Sequence, residues 1–223
     1  MSLGDFLVEG AAELGINISQ DELDQFILYL ENLKSWNQKI NLTAIKDERE
    51  IILNHFLDSL SAAFVIKDSK KLLDIGSGGG FPGIPLKIVC PQLQVTLLEA
   101  VNKKVSFMND TIRKLELQNI NAIWGRAEEI ENNVPRASFD YVFTRALGSI
   151  SETLRLSAPY VSEKGVIVLM RGKKGVYEWN QAKEEIGGDF ELLDFKELTL
   201  PKSDIIRTIF ILKPNQLSKS QNS

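Results

Sequence analysis

The sequence contains a single cysteine, Cys90, and a single histidine, His55, among its 223 residues. One cysteine excludes an internal disulfide and fits a reducing compartment. No apolar run approaches the roughly 20 residues that cross a bilayer, and the N-terminus lacks the basic region and apolar run of a secretory signal. We therefore expect a cytoplasmic protein that does not associate with a membrane.

A strong excess of either charge is also lacking, since the formal net charge is −4. Residues 1–70 carry 12 acids and 6 bases, whereas residues 71–223 carry 18 acids and 20 bases. This balance excludes non-specific coating of nucleic acid by the whole protein. Four bases lie within eleven residues, Lys164, Arg171, Lys173 and Lys174. They form either a local basic patch or an ordinary solvated loop.

The chain does contain an ordinary share of hydrophobic residues, 43%. In its first part the apolar residues recur at helical spacing. Residues 3–14 predict a short helix, Ser19 with Glu22 predicts a capping box before a longer one, and Asp47 with Glu50 begins another. We expect residues 1–66 to form an N-terminal helical extension and residues 67–213 to form the main domain. Residues 214–223 form a polar tail that we expect to be disordered.

From residue 70 onward, short apolar strands alternate with amphipathic helices. The predicted strands span 71–75, 95–99, 122–124, 141–144 and 166–170, and the predicted helices span 84–89, 103–115 and 151–160. Such alternation predicts βαβ units and a parallel sheet. Two further strands, 190–200 and 205–212, flank a short turn and predict an antiparallel hairpin. The expected fold is α/β, with a mostly parallel seven-stranded sheet that ends in this hairpin.

The most specific motif follows the first predicted strand, where five glycines fall between Gly76 and Gly83. Glycine is needed where the chain takes a positive φ or where a ligand approaches the backbone. The register Gly78-x-Gly80-x-x-Gly83 fits a dinucleotide-binding loop, but Pro82 and Pro85 disfavour the free N–H donors that a pyrophosphate needs. The register Asp74-x-Gly76-x-Gly78-x-Gly80 resembles motif I of the Rossmann-like class I methyltransferases, which use S-adenosylmethionine.

Glu99 ends the second predicted strand, where a carboxylate accepts both hydroxyls of a ribose. NAD enzymes share this acid, so Glu99 alone does not discriminate between the two cofactors. The antiparallel hairpin at the end of the sheet favours the methyltransferase class. A small-molecule methyltransferase, a cofactor-binding scaffold without turnover and, last, a dinucleotide oxidoreductase stay open as alternatives.

The methyl acceptor is constrained by what the chain lacks. Methylation of cytosine carbon 5 needs a cysteine nucleophile, but Cys90 precedes Pro91 at a helix end and fits a small core residue. Methylation of an exocyclic amine usually involves an Asp/Asn-Pro-Pro-aromatic run after the fourth strand, where this chain has Phe143-Thr144-Arg145-Ala146. Guanine N7 needs neither a nucleophile nor a strong base, because its lone pair attacks the methyl group directly.

The chain resembles the RsmG (GidB) family of bacterial 16S rRNA guanine-N7 methyltransferases over residues 18–213. The resemblance rests on Trp36-Asn37, Asn41-Leu42-Thr43, the run from His55 to Ser59, the run from Asp74 to Leu86, and Arg145-Ala146. Its most specific part is Phe81-Pro82-Gly83-Ile84-Pro85-Leu86, since methyltransferases in general lack those prolines. The resemblance implies methylation of guanine 527 in the 530 loop of 16S rRNA, free or within the small ribosomal subunit. S-adenosylhomocysteine would be the product, and no metal would be needed.

The motif and the resemblance together predict a cofactor site made by Asp74, Gly76, Gly78, Gly80, Phe81, Glu99, Ala127, Glu128 and Arg145. Phe81 would cover an apolar part of the cofactor, and Ala127 with Glu128 would contact the adenine edge. Arg145 would bind the cofactor carboxylate or the RNA. The candidate contacts to RNA phosphates are Arg171, Lys173, Lys174 and Arg207. No catalytic residue is assigned, because the reaction depends on positioning.

Several polar and aromatic residues have structural interpretations that compete with functional ones. For His55 a structural link through Asp58 or a neighbouring loop outweighs a proton shuttle, since N7 methylation needs none. Asn41 and Thr43 either hold the loop between two helices in place or line the substrate entrance. Two tryptophans are expected in the core rather than stacked on RNA bases, Trp36 and Trp179.

Overall fold

The computed structural model describes residues 1–67, 70–129 and 134–215, and its N-terminal part is helical. Helix α1 spans Leu3–Glu13 and α2 spans Gln20–Asn37. Each begins with a serine, Ser2 or Ser19, whose hydroxyl accepts a backbone N–H three residues on, and the acid at that position accepts the serine N–H in return. This reciprocal pattern satisfies N–H groups that a helix start otherwise leaves unpaired. The predicted capping box at Ser19 is confirmed.

The third helical segment changes geometry along its length. Asp47 caps α3, Glu48–Ile51, by accepting the N–H of Glu50. A π-helix then spans Ile52–Leu57, followed by the short α4, Asp58–Leu60, and a 3₁₀ turn, Ala63–Val65. The sequence predicts one continuous α-helix here. The π-helix was not predicted, because an apolar stripe is compatible with backbone hydrogen bonds to either the fourth or the fifth residue along the chain.

Seven strands form one sheet: β1 Lys71–Ile75, β2 Gln94–Glu99, β3 Ile120–Trp124, β4 Phe139–Arg145, β5 Val161–Gly172, β6 Phe190–Thr199 and β7 Ile206–Pro214. Their order across the sheet is β3-β2-β1-β4-β5-β7-β6. Strands β1 to β5 are parallel, and β7 pairs antiparallel with both β5 and β6. The predicted Rossmann-like class I methyltransferase fold, with its antiparallel C-terminal hairpin, is confirmed.

Several boundaries differ from the prediction. Strand β5 begins at Val161, five residues earlier than expected, and includes Gly165. A Cβ at Gly165 would lie 2.5 Å from the backbone oxygen of Phe139, so only glycine fits this close approach of two strands. At the C-terminus, Pro214 still belongs to β7. Pro214 was assigned to the predicted tail, whose residues 216–223 lie outside the described residues.

The helices that follow the strands are α5 Gly83–Val89, α6 Asn102–Lys114, α7 Ile150–Ser157 and α8 Gly175–Ile186. The first three were expected, but α8 was not. Its buried residues are Gly175, Ala182 and Ile186, with Trp179 beside Phe210. A stripe with so few large apolar side chains gives a weak helical pattern. No helix within the described ranges is long and apolar enough to cross a membrane.

The N-terminal helices share one hydrophobic core with a face of the sheet. The ring of Tyr29 in α2 lies 5.2 Å from the ring of Phe56 and 5.4 Å from that of Phe81, which belongs to the glycine loop. These three side chains are at most 4% exposed. The Tyr29 hydroxyl also donates a hydrogen bond to the backbone oxygen of Gly79. The helical extension is therefore packed directly against the loop that follows β1.

The topology of the sheet predicts a ligand-binding site at the carboxyl ends of β1 and β4. Helix α5, which follows β1, belongs to the core that contains the N-terminal helices, whereas α7, which follows β4, belongs to the core on the other face. The chain therefore leaves these neighbouring strands toward opposite faces. Such a switch opens a crevice at the ends of the strands, where ligands of open α/β sheets bind.

Candidate active site

The glycine loop between β1 and α5 is fixed by its own backbone. Gly76, Gly78 and Gly80 have φ values of +72°, +57° and +89°, which favour glycine. A Cβ on Gly80 would meet Ile84 at 2.5 Å, so Gly80 permits close packing. A Cβ on Gly78 would approach only the oxygen of Gly76, at 3.9 Å. Gly78 thus leaves open space above the loop for a ligand.

Asp74 lies beneath this loop and is fully buried. Its Oδ2 accepts the backbone N–H of Gly83 at 2.9 Å, and Ser77 Oγ donates to the Asp74 backbone oxygen at 2.8 Å. Burial raises the pKa of this carboxyl to about 7. Asp74 was predicted to bind the cofactor, but this position faces the start of α5 and the loop interior. In the structure, Asp74 stabilises the conformation of the glycine loop.

Glu99 joins the glycine loop to the end of β2. Its Oε2 accepts the N–H of Gly78 at 2.8 Å and its Oε1 accepts the N–H of Val101 at 2.9 Å. The residue is 6% exposed, so both oxygens are held in one orientation. Each carboxylate oxygen accepts more than one hydrogen bond, and each has a single donor among the residues that the structure describes. Glu99 thus retains acceptor capacity for two neighbouring hydroxyls.

Ala127 and Glu128 follow β3, on the same edge of the sheet. Ala127 is 9% exposed, and its backbone oxygen accepts the hydroxyl of Tyr160 at 2.8 Å. Glu128 is exposed. Because β3 pairs with β2 up to the Glu99–Trp124 pair, this segment continues the edge that Glu99 begins. Their predicted contact with adenine stays a prediction.

A cavity of about 590 Å³ opens next to the glycine loop, at the ends of β4 and β5. We call it the site cavity. Its lining comes from five parts of the chain: the loop between α2 and α3, the π-helix with α4, the glycine loop, the ends of β4, β5 and β7, and the first turn of α8. The residues are Leu42, Ile45, Asn54, His55, Asp58, Gly76, Ser77, Gly78, Gly79, Phe81, Arg145, Ala146, Met170, Arg171, Gly172, Glu178 and Arg207.

Arg145 lies at the end of β4 and is held by the N-terminal helices. Its Nη1 donates to the backbone oxygen of Asn54 at 2.9 Å and to Asp58 Oδ2 at 3.0 Å. Its guanidinium carbon lies 5.2 Å from the centre of the Phe81 ring, within the range of a cation–π contact. Arg145 was predicted from the sequence, whereas the acceptor at Asn54 was not.

Asp58 also binds Arg207 of β7, whose Nε donates to Asp58 Oδ1 at 2.8 Å. One buried carboxylate, 3% exposed, therefore holds two guanidinium groups at the site cavity. Two positive charges against one negative leave the cluster with a surplus of positive charge. Such a cluster complements an anionic ligand, either a carboxylate or a phosphate.

His55 is neutral and has both ring nitrogens engaged. Arg145 Nη2 lies 3.3 Å from Nδ1, and Thr43 Oγ1 lies 2.9 Å from Nε2. A guanidinium only donates, so Nδ1 is the acceptor and Nε2 carries the hydrogen. Burial, and then the charge of Arg145, lower the pKa of His55 to about 4. The predicted link to a neighbouring loop is confirmed through Thr43, while Arg145 lies between His55 and Asp58.

The loop between α2 and α3 is fastened by Asn37. Its Oδ1 accepts the N–H groups of Leu42 and Thr43, and its Nδ2 donates to the Thr43 backbone oxygen at 2.9 Å. Thr43 therefore helps to hold this loop, as one interpretation expected. Asn41 is exposed and lines a neighbouring cavity of about 910 Å³, which shares Leu42 and Ile45 with the site cavity.

The predicted RNA-binding residues divide into two groups. Lys173 and Lys174 are exposed just beyond β5. Arg171 is 8% exposed, and its guanidinium donates to the backbone oxygens of Leu147 and Gly148 and to Thr153 Oγ1. The predicted contact of Arg171 with an RNA phosphate stays a prediction, and in the structure its Nη1 and Nη2 donors hold the loop after β4.

The tryptophans assigned to the core pack as expected. Trp36 lies 5.9 Å from Phe107, edge to face, and its indole N–H donates to Asp110. Trp179 lies against Phe210. Cys90 is partly buried against the core cluster. Sequence reasoning missed Tyr29 and Asn54 at the site, because their helical spacing is that of ordinary packing residues. No group of metal-ligating side chains is found within the described ranges.

Comparison with known proteins agrees with this arrangement. The model of a family described as "rRNA small subunit methyltransferase G" (GidB) matches residues 22–206. The chain is 41% identical to the ribosomal RNA small subunit methyltransferase G of Acetivibrio thermocellus, over 96% of this chain and 89% of that one. It is 40% identical to the protein of that name from a Geobacter species, over 96% of this chain and 99% of that one.

Solved structures show the same fold at low sequence identity. A SAM dependent methyltransferase from Aquifex aeolicus has a TM-score of 0.60 at 16% identity, covering 77% of this chain and 96% of that one. A predicted O-methyltransferase from Agrobacterium tumefaciens has a TM-score of 0.56 at 19% identity, covering 72% and 80%. The family match spans most of the helical extension and most of the sheet. The chain belongs to the rRNA small subunit methyltransferase G (GidB) family of S-adenosylmethionine-dependent methyltransferases.

Proposed function

We propose that this protein transfers a methyl group from S-adenosylmethionine to N7 of guanine 527 in the 530 loop of 16S rRNA, in the cytoplasm. The observation that carries the proposal is the position of the site cavity. It lies between a glycine loop joined to Glu99 on one side and the guanidinium groups of Arg145 and Arg207 on the other. A cofactor edge and an anion-binding cluster therefore meet at one opening.

The residues on the cofactor side fit S-adenosylmethionine. Glu99 would accept the ribose hydroxyls through the capacity that its two oxygens retain. Gly76 and Gly78 would allow the amino-acid end to lie against the backbone, since Gly78 presents open space. Ala127 and Glu128 would flank the adenine. The bound cofactor supplies an electrophilic methyl group on a positively charged sulfur.

The chemistry around the cavity suits an acceptor that loses no proton. The described lining residues include no cysteine and no lysine, and the one histidine is neutral with both nitrogens bonded. A guanine N7 needs no base, because its lone pair attacks the methyl group directly. The protein's part is then to orient the base in line with the methyl group and to exclude water. Phe81, 4% exposed, provides an apolar wall for this purpose.

The same cluster supports an RNA substrate over a small uncharged one. The pair of guanidinium groups around Asp58 leaves positive charge at the cavity, and Lys173 and Lys174 add two exposed cations beyond β5. Phosphates of the nucleotides around the target base complement this charge. Arg145 would bind either the cofactor carboxylate or the RNA, and Arg207 would bind the RNA.

The direct test is to map 7-methylguanine in 16S rRNA from a strain that lacks this protein. We expect the modification at guanine 527 to be lost and then restored by the wild-type protein. Purified protein with labelled S-adenosylmethionine should methylate RNA or small subunits from that strain, and not those of the parent strain. Methyl transfer to a small metabolite but not to this RNA would contradict the proposal.

A further inference from the structure

Tyr177 is one of the most exposed aromatic side chains of the protein, at 63%. It lies in the first turn of α8, and it is flanked by Gly172 and Glu178, which both line the site cavity. Lys173 and Lys174 precede it and are also exposed. An aromatic ring and two cations thus lie together beside the opening where the proposed substrate enters.

The ring of Tyr177 is directed outward by the packing of α8. Gly175 lies against β5 and β7 so closely that a Cβ would be 2.8 Å from Thr208 and 3.0 Å from Arg171. Gly175, Ala182 and Ile186 form the buried side of the helix. Tyr177 lies about 200° around the helix from Gly175, at 100° per residue, which places it on the opposite side.

Two further features favour binding of a partner by the Tyr177 ring. Helical side chains point back toward the N-terminus of their helix, and α8 begins just beyond the carboxyl end of β5, so the ring leans toward the end of the sheet that carries the site. Gln181 Nε2 donates to the Tyr177 hydroxyl at 2.7 Å, which restrains the ring and leaves its faces open. A restrained ring loses little conformational entropy on binding.

We propose that Tyr177, with Lys173 and Lys174, forms a stacking platform for unpaired nucleotides that flank the target guanine. This inference rests on the proposed function. Neither lysine forms an ion pair with another side chain within residues 1–67, 70–129 and 134–215. Their charge complements RNA phosphates, and the ring stacks on a base, the combination that binds single strands.

The test compares three variants with unmethylated 16S rRNA as substrate. Tyr177→Ala should raise KM for the RNA about tenfold, as expected for one lost base stack, and kcat at saturating RNA should change less than about twofold. Tyr177→Phe keeps the ring but loses the bond from Gln181, so its KM should lie closer to that of the wild type than to that of Tyr177→Ala. Joint substitution of both lysines by alanine should lower the slope of log KM against log salt by about one to two, whereas Tyr177→Ala should leave that slope unchanged.

A matched control is Phe64→Ala. Phe64 is also an exposed aromatic, at 40%, and Lys196 Nζ lies 4.6 Å from its ring centre, but it lies outside the site cavity. Its substitution should leave KM for the RNA unchanged. An unchanged KM in Tyr177→Ala, with an active wild type, would overturn the platform alone. A wild-type protein that methylates no small-subunit RNA would instead overturn the proposed function and the platform with it.

Discussion

His55, which is partly buried, and Asp74, which is fully buried, are titratable residues whose effects on stability oppose each other. The pKa of His55 is lowered to about 4 and that of Asp74 is raised to about 7, in each case mainly by burial. Between about pH 4 and 6.5, unfolding takes up a proton at His55, so its contribution to stability rises with pH. Over the same range unfolding releases a proton from Asp74, so that contribution falls. The two slopes, each at most about 1.4 kcal/mol per pH unit, nearly cancel.

Single substitutions should reveal each slope. His55→Gln removes the term that rises with pH, so its free energy of unfolding relative to wild type should fall from pH 4.5 to pH 6.5. Asp74→Asn removes the contribution that falls with pH, so its free energy of unfolding relative to wild type should rise over the same range. Urea unfolding followed by tryptophan fluorescence measures both. Two variants whose free energies remain parallel to the wild type across this range would show that neither pKa is shifted as described.

Gly78 and Gly83 should respond to substitution in opposite ways. Gly78→Asp places a side chain in open space and costs about 1 kcal/mol for the positive φ, so the protein should stay folded but lose cofactor binding. A Cβ on Gly83 would lie 2.3 Å from Leu97 and 3.0 Å from Asp74. Gly83→Ala should therefore lose about 1–3 kcal/mol of stability through overpacking.

Thermal unfolding and calorimetric titration with S-adenosylmethionine distinguish the two glycine variants. We expect the melting temperature to fall mainly in Gly83→Ala, and heat of binding to disappear mainly in Gly78→Asp. Normal binding by Gly78→Asp would mean that this part of the loop does not face the ligand. It would also remove the observation on which the fit of the cofactor depends.

At the scale of residues, the sequence predicted the positive φ of the glycines and the position of Glu99 at the end of a strand, because each is set by a local rule. Glycine marks a positive φ, and an acid ends the strand beside it. The same reasoning missed the contact of Tyr29 and the burial of Arg171. Tyr29 has the helical spacing of a core residue, and its bond to Gly79 joins residues 50 apart in the chain. Neither this contact nor the burial of Arg171 can be predicted from local sequence patterns, because both depend on the tertiary structure.

The connection between α4, β4 and β7 depends on one carboxylate. Asp58 binds Arg145 at 3.0 Å and Arg207 at 2.8 Å, and its side chain is 4% exposed. Asp58→Asn would leave two partly buried guanidinium groups without their counter-charge. Breaking a buried pair in this way costs about 3 kcal/mol, and displacement of Arg145 over Phe81 should reduce methyl transfer about 100-fold.

The matched control at this scale is Lys34→Ala. Lys34 pairs with Glu48 on the surface, where the side chains are 44% and 38% exposed. Its removal should change the free energy of unfolding by less than about 1 kcal/mol and leave methyl transfer unchanged. Equal losses in the Asp58 and Lys34 variants, measured by urea unfolding and a labelled-methyl assay, would contradict a special role for the buried cluster.

Elements with a strong apolar period were predictable, and elements defined by packing were not. Strand β1 was predicted at its observed bounds, since Leu72, Leu73 and Ile75 form a compact apolar run. Helix α8 was missed, because Gly175 and Ala182 bury little apolar surface. The π-helix was read as α-helical, since burial of Ile52 and Phe56 satisfies either geometry. The π-helix helps to position Arg145 at the site cavity, because its residues Asn54 and His55 contact Arg145.

At the scale of the whole molecule, one of the two hydrophobic cores crosses the predicted boundary near residue 67. The core on one face of the sheet contains buried side chains from α1, α2 and the π-helix together with side chains from β1, α5, β2, α6, β5 and β7. The two parts predicted as a helical extension and a main domain, residues 1–66 and 67–213, therefore share their packing. We infer that they form a single cooperative unit.

This inference predicts how the protein unfolds. Differential scanning calorimetry of the full chain should give one transition, with a calorimetric enthalpy equal to the van't Hoff enthalpy. A chain that begins at residue 67 would expose the apolar surface that Phe26, Tyr29 and Leu33 now cover, and Gly79 would lose the hydroxyl that fixes the glycine loop. We expect this truncated chain to aggregate or to bind no S-adenosylmethionine. Two separate transitions, or a truncated chain that folds and binds the cofactor normally, would show that the helical extension is an independent addition to the methyltransferase sheet.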